Sequence, residues 1–162
     1  MEKQQFEKLA LQHRDMIYRI ALNQLRSIPD AEDAMQEVLL KLYQHKGSFE
    51  TDTHAKHWLI RVTLNHCRSL WRSPWKRNVP LEALSRTIGF TEQKDSDLFL
   101  AVMDLPEVHR TMLYLFYYED LSIRDIAQLM NLSVSTVTTR LYRARKRLKY
   151  DLTEGANQHV SR

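Results

Sequence analysis

The chain has 162 residues, 43% of them apolar, a formal charge of +4 and a pI near 9.2. Three glycines and four prolines, set among many Leu, Ala, Gln, Arg and Lys, favour an all-α protein with one modest core or two small ones. The basic balance favours a polyanionic partner; a lone Cys67 rules out an internal disulfide, and with no signal peptide or membrane-length apolar run the expected location is cytoplasmic.

Taken in order, Phe6, Leu9, Ala10, His13, Ile17, Ile20, Ala21 and Gln24 recur at helical spacing and predict a long amphipathic helix. Ile28-Pro29 stops it, because the residue before proline disfavours the helical region. Asp30 is then expected to cap a second helix, with Glu32 and Asp33 in its first turn. Ala31, Ala34, Met35, Val38, Leu42 and Tyr43 make its inner side. Gln36, Glu37 and Leu40 share the outer side. An exposed leucine there is either an ordinary surface residue or part of a docking face for a larger basic partner.

Gly47 ends the second helix, and Ser48–Lys56 reads as a polar loop. A third helix is expected from Ala55 to Arg72. Leu59, Val62, Thr63, His66, Cys67 and Leu70 form its broad inner side. Trp58, Arg61, Asn65, Arg68 and Arg72 form a narrow stripe opposite. One aromatic ring, one amide and three guanidiniums on one face suit single-stranded DNA: the ring stacks on a base, the amide reads an edge, the cations follow the backbone. The bland alternative is a core tryptophan beside solvated arginines.

From Ser73 to Asp97 the periodicity breaks at Pro74, Pro80 and Gly89, as in a linker between two small helical domains, with a short helical turn near Leu81–Ile88. The second domain opens with Leu98–Asp104, breaks at Leu105-Pro106 and continues as Glu107–Tyr118, with Val108, Met112, Leu115 and Phe116 inside. The Tyr114, Phe116, Tyr117 and Tyr118 group reads as core and rim.

Leu121–Lys149 reads as two helices joined by a tight turn, a helix-turn-helix. Ser122 caps the first, with Asp125 as its capping-box partner. Ile123, Ile126, Ala127 and Met130 follow at helical spacing. Asn131 suits the left-handed turn, and Ser133 caps the second helix. At about 100° per residue, Val134, Val137, Leu141, Ala144 and Leu148 fall on one face. Ser135, Thr139, Tyr142, Arg143 and Lys146 lie opposite, flanked by Thr136, Thr138, Arg140 and Arg147. Short hydroxyls followed by long cations are what a helix reading duplex DNA needs, its early turns at base edges and its later cations at phosphates. No acid intervenes between Asp125 and Asp151 to repel a phosphate backbone. Beyond Asp151, in a tail taken as residues 153–162, the polar sequence is expected to fray.

Four blocks then come in order: Asp30–Tyr43, Trp58–Asn65, Leu105–Arg110 and Ser133–Leu148. Together they resemble the extracytoplasmic-function sigma factors, short two-domain specificity subunits of bacterial RNA polymerase. The resemblance implies two helical domains, residues 1–72 and 98–152. It implies that the Asp30–Tyr43 helix, with Asp33, Gln36, Glu37 and Leu40, docks on core polymerase. It implies that the Phe49–Lys56 loop and the Trp58–Arg72 helix melt the −10 element, the residues concerned being Phe49, Lys56, Trp58, Arg61, Asn65, Arg68 and Arg72. The Val134–Lys149 helix would read the −35 duplex, through Ser135, Thr136, Thr138, Thr139, Arg140, Tyr142, Arg143, Lys146 and Arg147, and the Ser73–Asp97 linker would thread toward the polymerase active site and RNA exit path. Family members are commonly held by an anti-sigma factor, often membrane-bound, and no stable homo-oligomer is expected.

Leu40 stands where the family usually has an aromatic, Asn131 in place of its turn glycine, and Ser135 in place of a frequent glycine. These departures bear on promoter sequence. The competing class is a stand-alone helix-turn-helix regulator that binds duplex DNA as a dimer. It leaves the Trp58–Arg72 stripe without a purpose, and no dimerisation seam is visible. The seven histidines and the acids near Asp30 fall in no metal-ligand spacing, and no phosphate-cradling glycine loop occurs. No enzyme activity, cofactor or metal is expected.

Overall fold

The computed structural model describes the backbone of residues 1–71 and 93–160, and the side chains of residues 1–71 and 97–154. Arg72, most of the expected linker and its turn near Leu81–Ile88 lie outside the described residues. All regular structure among the described residues is helical. The chain forms two compact units, Met1–Asn78 and Val79–Arg162.

The first unit holds α1 (Lys3–Leu25), α2 (Ile28–Gln44) and α3 (Asp52–Trp71), each packed on the other two. Its core joins Ile17, Ile20 and Ala21 of α1, Ala31, Val38 and Leu42 of α2, and Leu59, Ile60 and Leu64 of α3. Ala21, Ala31, Ala34 and Cys67 form one buried cluster; their small side chains let the helices approach closely, and Tyr18, Leu22 and Leu25 pack around them. The indole of Trp71 donates to the carbonyl of Gln24 (3.1 Å), tying the end of α3 to the end of α1.

Several local expectations shift. α1 ends in a left-handed Arg26 (φ 54°), and α2 begins at Ile28. Ser27, not Asp30, caps it: the Ser27 hydroxyl accepts from the Asp30 N–H at 3.4 Å. Pro29 is tolerated there because a first-turn N–H has no intrahelical partner. Tyr43, expected inside, is 54% exposed and meets the edge of Phe6 at 5.3 Å. α3 starts at Asp52, earlier than Ala55, because Thr51 accepts from the His54 N–H at 3.0 Å. Its inner side includes Ile60 and Leu64, whereas Val62 and His66 are half-buried and Leu70 is exposed. The buried sector is thus rotated by roughly 40°, less than half of one residue's 100° step.

The second unit holds α4 (Gln93–Asp104), α5 (Glu107–Leu113), a π-helical turn (Tyr114–Tyr118), α6 (Ile123–Met130) and α7 (Val134–Val160). α4 begins at Gln93, inside the stretch expected to be linker. α7 packs on α4, α5 and α6. Met103, Leu105, Met112, Leu115, Ile126, Val137 and Leu141 are buried there. Leu113 is buried too, while Val108 and Phe116, expected inside, are half-buried. For Phe116 the cause is the widened turn: the Glu119 N–H reaches back five residues to the Tyr114 carbonyl (3.2 Å), which changes the helical register from there on. Arg110 is buried across the α4–α5 break, donating to the carbonyls of Met103 (3.2 Å) and Leu105 (2.7 Å). α7 runs on to Val160, through the tail expected to fray.

The helix-turn-helix forms as its sequence dictates. Ser122 accepts from the Asp125 N–H at 3.1 Å. Asn131 is left-handed (φ 55°, ψ 48°), and the Leu132 N–H returns to the Ala127 carbonyl at 2.8 Å, closing a Schellman-type end. Ser133 accepts from the Thr136 N–H at 3.1 Å. Asn131→Gly should leave the urea midpoint unchanged or higher, whereas Asn131→Val should lower stability by about 1–2 kcal/mol because a branched side chain resists that conformation. Ser133→Ala should cost about 1 kcal/mol. Equal midpoints for all three variants and the parent would show that the turn does not set stability.

Candidate nucleic-acid interface

The outward face of α7 is set by what its inner face buries. Val137, Leu141 and Ala144 are at most 1% exposed. At 3.6 residues per turn, this places Ser135, Thr139, Tyr142, Arg143 and Lys146 outward, and all five are exposed. Val134, expected with the buried set, is 51% exposed because it begins the helix, and Leu148 is half-buried. Thr136 and Arg140 are half-buried on one flank, and Thr138 is exposed on the other.

The polar atoms at the start of α7 are already organised. The Ser133 hydroxyl lies 2.7 Å from that of Thr136 and 3.2 Å from that of Ser135. Thr138 donates its hydroxyl to the Val134 carbonyl at 2.9 Å, leaving its lone pairs and methyl for a ligand. The Lys146 ammonium lies 5.9 Å from the centre of the Tyr142 ring. Arg147, expected to meet DNA, is bonded through Nε to both carboxylate oxygens of Asp151 (3.1 and 3.2 Å). An exposed i,i+4 pair is worth only about 0.3–0.5 kcal/mol, so a phosphate can compete for that arginine. Periodicity left out Arg145, an exposed cation whose Nη1 donates to the Tyr117 hydroxyl at 2.8 Å. No residue pattern announces that contact, because it depends on the π turn placing Tyr117.

On α3, Arg61 and Asn65 are exposed, and Lys56, Trp58 and Arg68 are half-buried. Trp58 is neither a core residue nor a free-standing ring. It packs against His45 (4.8 Å) and Phe49 (5.5 Å), Phe49 stacks on His45 at 4.8 Å and 10°, and His54 meets Phe49 edge-on at 5.5 Å. The loop between α2 and α3 therefore presents an aromatic cluster with Asn65 about two turns farther along the helix. His45 and His54 were not expected here, since their contacts with Phe49 depend on the path of the α2–α3 connection, which has no period.

On α2, Asp33, Gln36, Glu37 and Leu40 are all exposed, and Tyr43 extends the apolar part of that surface. His66 of α3 is held below its ordinary range by burial and by Lys41, opposed by Glu37. No group of His, Cys, Asp or Glu among the described residues could hold a metal ion. No helix among them is long and apolar enough to cross a membrane.

Parts of both units match known families. Residues 9–77 match the sigma-70 region 2 family and residues 97–148 the sigma-70 region 4 family. The chain is 31% identical over 146 residues to the ECF RNA polymerase sigma factor SigM of Mycobacterium tuberculosis, covering 88% of this chain and 74% of that one. It is 30% identical over 164 residues to RNA polymerase sigma factor SigV of Bacillus subtilis, covering 95% and 98%. Its fold resembles that of the sigma factor RpoE from Bartonella quintana, solved with the anti-sigma factor NepR (TM-score 0.69, 22% identity, 92% and 97% covered). The chain belongs to the extracytoplasmic-function sigma factors of RNA polymerase.

Proposed function

We propose that the two units divide promoter recognition as their surfaces suggest. Residues 1–72 dock on core polymerase and hold the melted −10 strand; residues 98–152 read the −35 duplex. The observation that carries this is the pairing of an exposed Asn65 with an aromatic cluster around Trp58 on one helix. A protein that binds only duplex DNA has no use for such a surface. A sigma factor must hold a melted strand, and extruding a base costs a few kcal/mol. Stacking on an aromatic platform returns about 1–3 kcal/mol per base, and an amide nearby selects which base enters. Because Trp58 is already packed on His45 and Phe49, little side-chain freedom is lost when a base arrives.

Asp33, Gln36, Glu37 and Leu40 form the polymerase-docking face in this reading, supported by their exposure on one side of α2. The Bartonella quintana protein was solved with an anti-sigma factor, and a comparable inhibitor, soluble or membrane-bound, is proposed to cover the docking face here. In this reading the protein works in the cytoplasm, without a cofactor and without an enzyme activity of its own.

Arg143 tests the duplex reading. A base-reading arginine is worth about 1–3 kcal/mol at one position. Arg143→Ala should therefore relax a single position in a binding-site selection with the holoenzyme. Return of the parent preference would remove Arg143 from base reading.

Asn65 tests the single-strand reading. Asn65→Ala should keep polymerase binding and −35 recognition but lose opening of duplex promoters, as read by permanganate reactivity. A template already unpaired at −10 should restore part of the signal, since melting is then supplied. Equal opening of the duplex by parent and variant would contradict the assignment.

A further inference from the structure

α5 packs against α7, and α5 carries a histidine that duplex reading alone does not use. His109 is half-buried, and its Nδ1 is buried with no hydrogen-bond partner. Buried polar atoms are nearly always paired in native proteins. A histidine that serves structure is fixed by a bond to one ring nitrogen, which sets its tautomer. No such bond to Nδ1 fixes His109, so its protonation is left to respond to surrounding charge.

That charge is cationic. After burial itself, Arg140 and Arg143, both from α7, are the groups that disfavour its protonated form. The other ionisable groups with described side chains on the surrounding elements are Asp97 and Asp104 of α4, Glu107 and Arg110 of α5, Tyr114, Tyr117, Tyr118 and Glu119 at the π turn, and Tyr142, Arg145, Lys146, Arg147, Lys149, Tyr150, Asp151 and Glu154 of α7. Of the two guanidiniums, Arg140 is half-buried on the flank and Arg143 exposed. Duplex DNA laid on α7 brings phosphates to that flank, reversing the sign of the local field.

We propose that His109 is a proton-linked member of the duplex-DNA surface, neutral in the free protein and protonated once a backbone phosphate settles beside Arg140. The imidazolium then adds a cation beside Arg140 and Arg143. The proposal rests on the reading of α7 as the −35 helix. The sign follows from linkage. Burial and the two arginines hold His109 below the usual histidine range when free, and a neighbouring phosphate raises it when bound. Between those two values DNA binding takes up a proton, so affinity rises as pH falls through the window. One proton allows at most about a tenfold change in affinity per pH unit.

The test is holoenzyme affinity for a selected −35 duplex between about pH 8 and pH 6, comparing parent, His109→Gln, His109→Asn and His159→Gln. His159 is the other histidine of residues 79–162, and the ratio of variant to parent cancels pH effects of the polymerase itself. The parent and His159→Gln should gain several-fold over His109→Gln and His109→Asn as pH falls. A second reading is the imidazole NMR titration of His109 in the full chain, which should move to higher pH on adding the duplex. A variant-to-parent ratio constant with pH, together with an unmoved titration, overturns the proposal. If that happens while Arg143→Ala still relaxes the sequence preference, the −35 reading of α7 stands and only His109 is reassigned. If Arg143→Ala leaves the preference unchanged, the reading falls and this inference falls with it.

Discussion

The buried seam of α7 is the constraint on which the rest of the C-terminal unit depends. Val137, Leu141 and Ala144 lie under the helix with almost no exposed surface. Burying a Val or Leu side chain is worth about 1.5–3 kcal/mol, whereas an exposed pair such as Arg147–Asp151 is worth a few tenths. The seam, not the surface charge, therefore fixes the rotation of the helix. Once it is fixed, helical period sends Ser135, Thr139, Tyr142, Arg143 and Lys146 outward together. Asn131 and Ser133 decide only where that helix begins. The left-handed turn and the cap place the hydroxyl-bearing residues in the first turns, which meet base edges in the proposed reading, and leave the cations farther along, where that reading puts phosphates.

In the N-terminal unit the same logic acts on a helix with two partners. α3 packs on both α1 and α2, so it buries a wider sector than one neighbour would require. Ile60 and Leu64 belong to that sector, and including them turns the helix away from the orientation suggested by Val62, His66 and Leu70. The outward stripe tolerates this turn because it lies opposite the centre of the buried sector. Arg61 and Asn65 stay exposed, and Trp58 moves only to the margin. There the loop residues His45 and Phe49 close on it. A ring at the margin is held on one side and open on the other, which suits a stacking platform better than either full burial or full exposure.

This is also why much of the fold and of the interface was legible in the amino-acid sequence, and why the rest was not. Periodicity reports the buried centre of a helix well, so α7 and its outward residues followed from Val137, Leu141 and Ala144. It reports the margins poorly. Tyr43, Val134 and Leu70 carry apolar side chains at positions that stay exposed. Contacts made through loops or irregular turns carry no period. The His45–Phe49–Trp58 cluster and the Arg145–Tyr117 bond arise from the α2–α3 connection and the π turn. Asp30 was expected to cap α2, but the backbone starts that helix at Ile28, which puts Ser27 at the cap and leaves Asp30 to donate its first-turn N–H to it.

The central claim is that one chain carries a duplex-reading face and a strand-holding face and uses both on core polymerase. Transcription of a pool of genomic fragments by core polymerase, with and without this chain, tests it most directly. The account predicts new start sites that appear only with the chain and share two spaced sequence elements upstream, one read as duplex and one melted. Start sites unchanged by the chain, with the protein instead binding duplex DNA alone as a dimer, would contradict it.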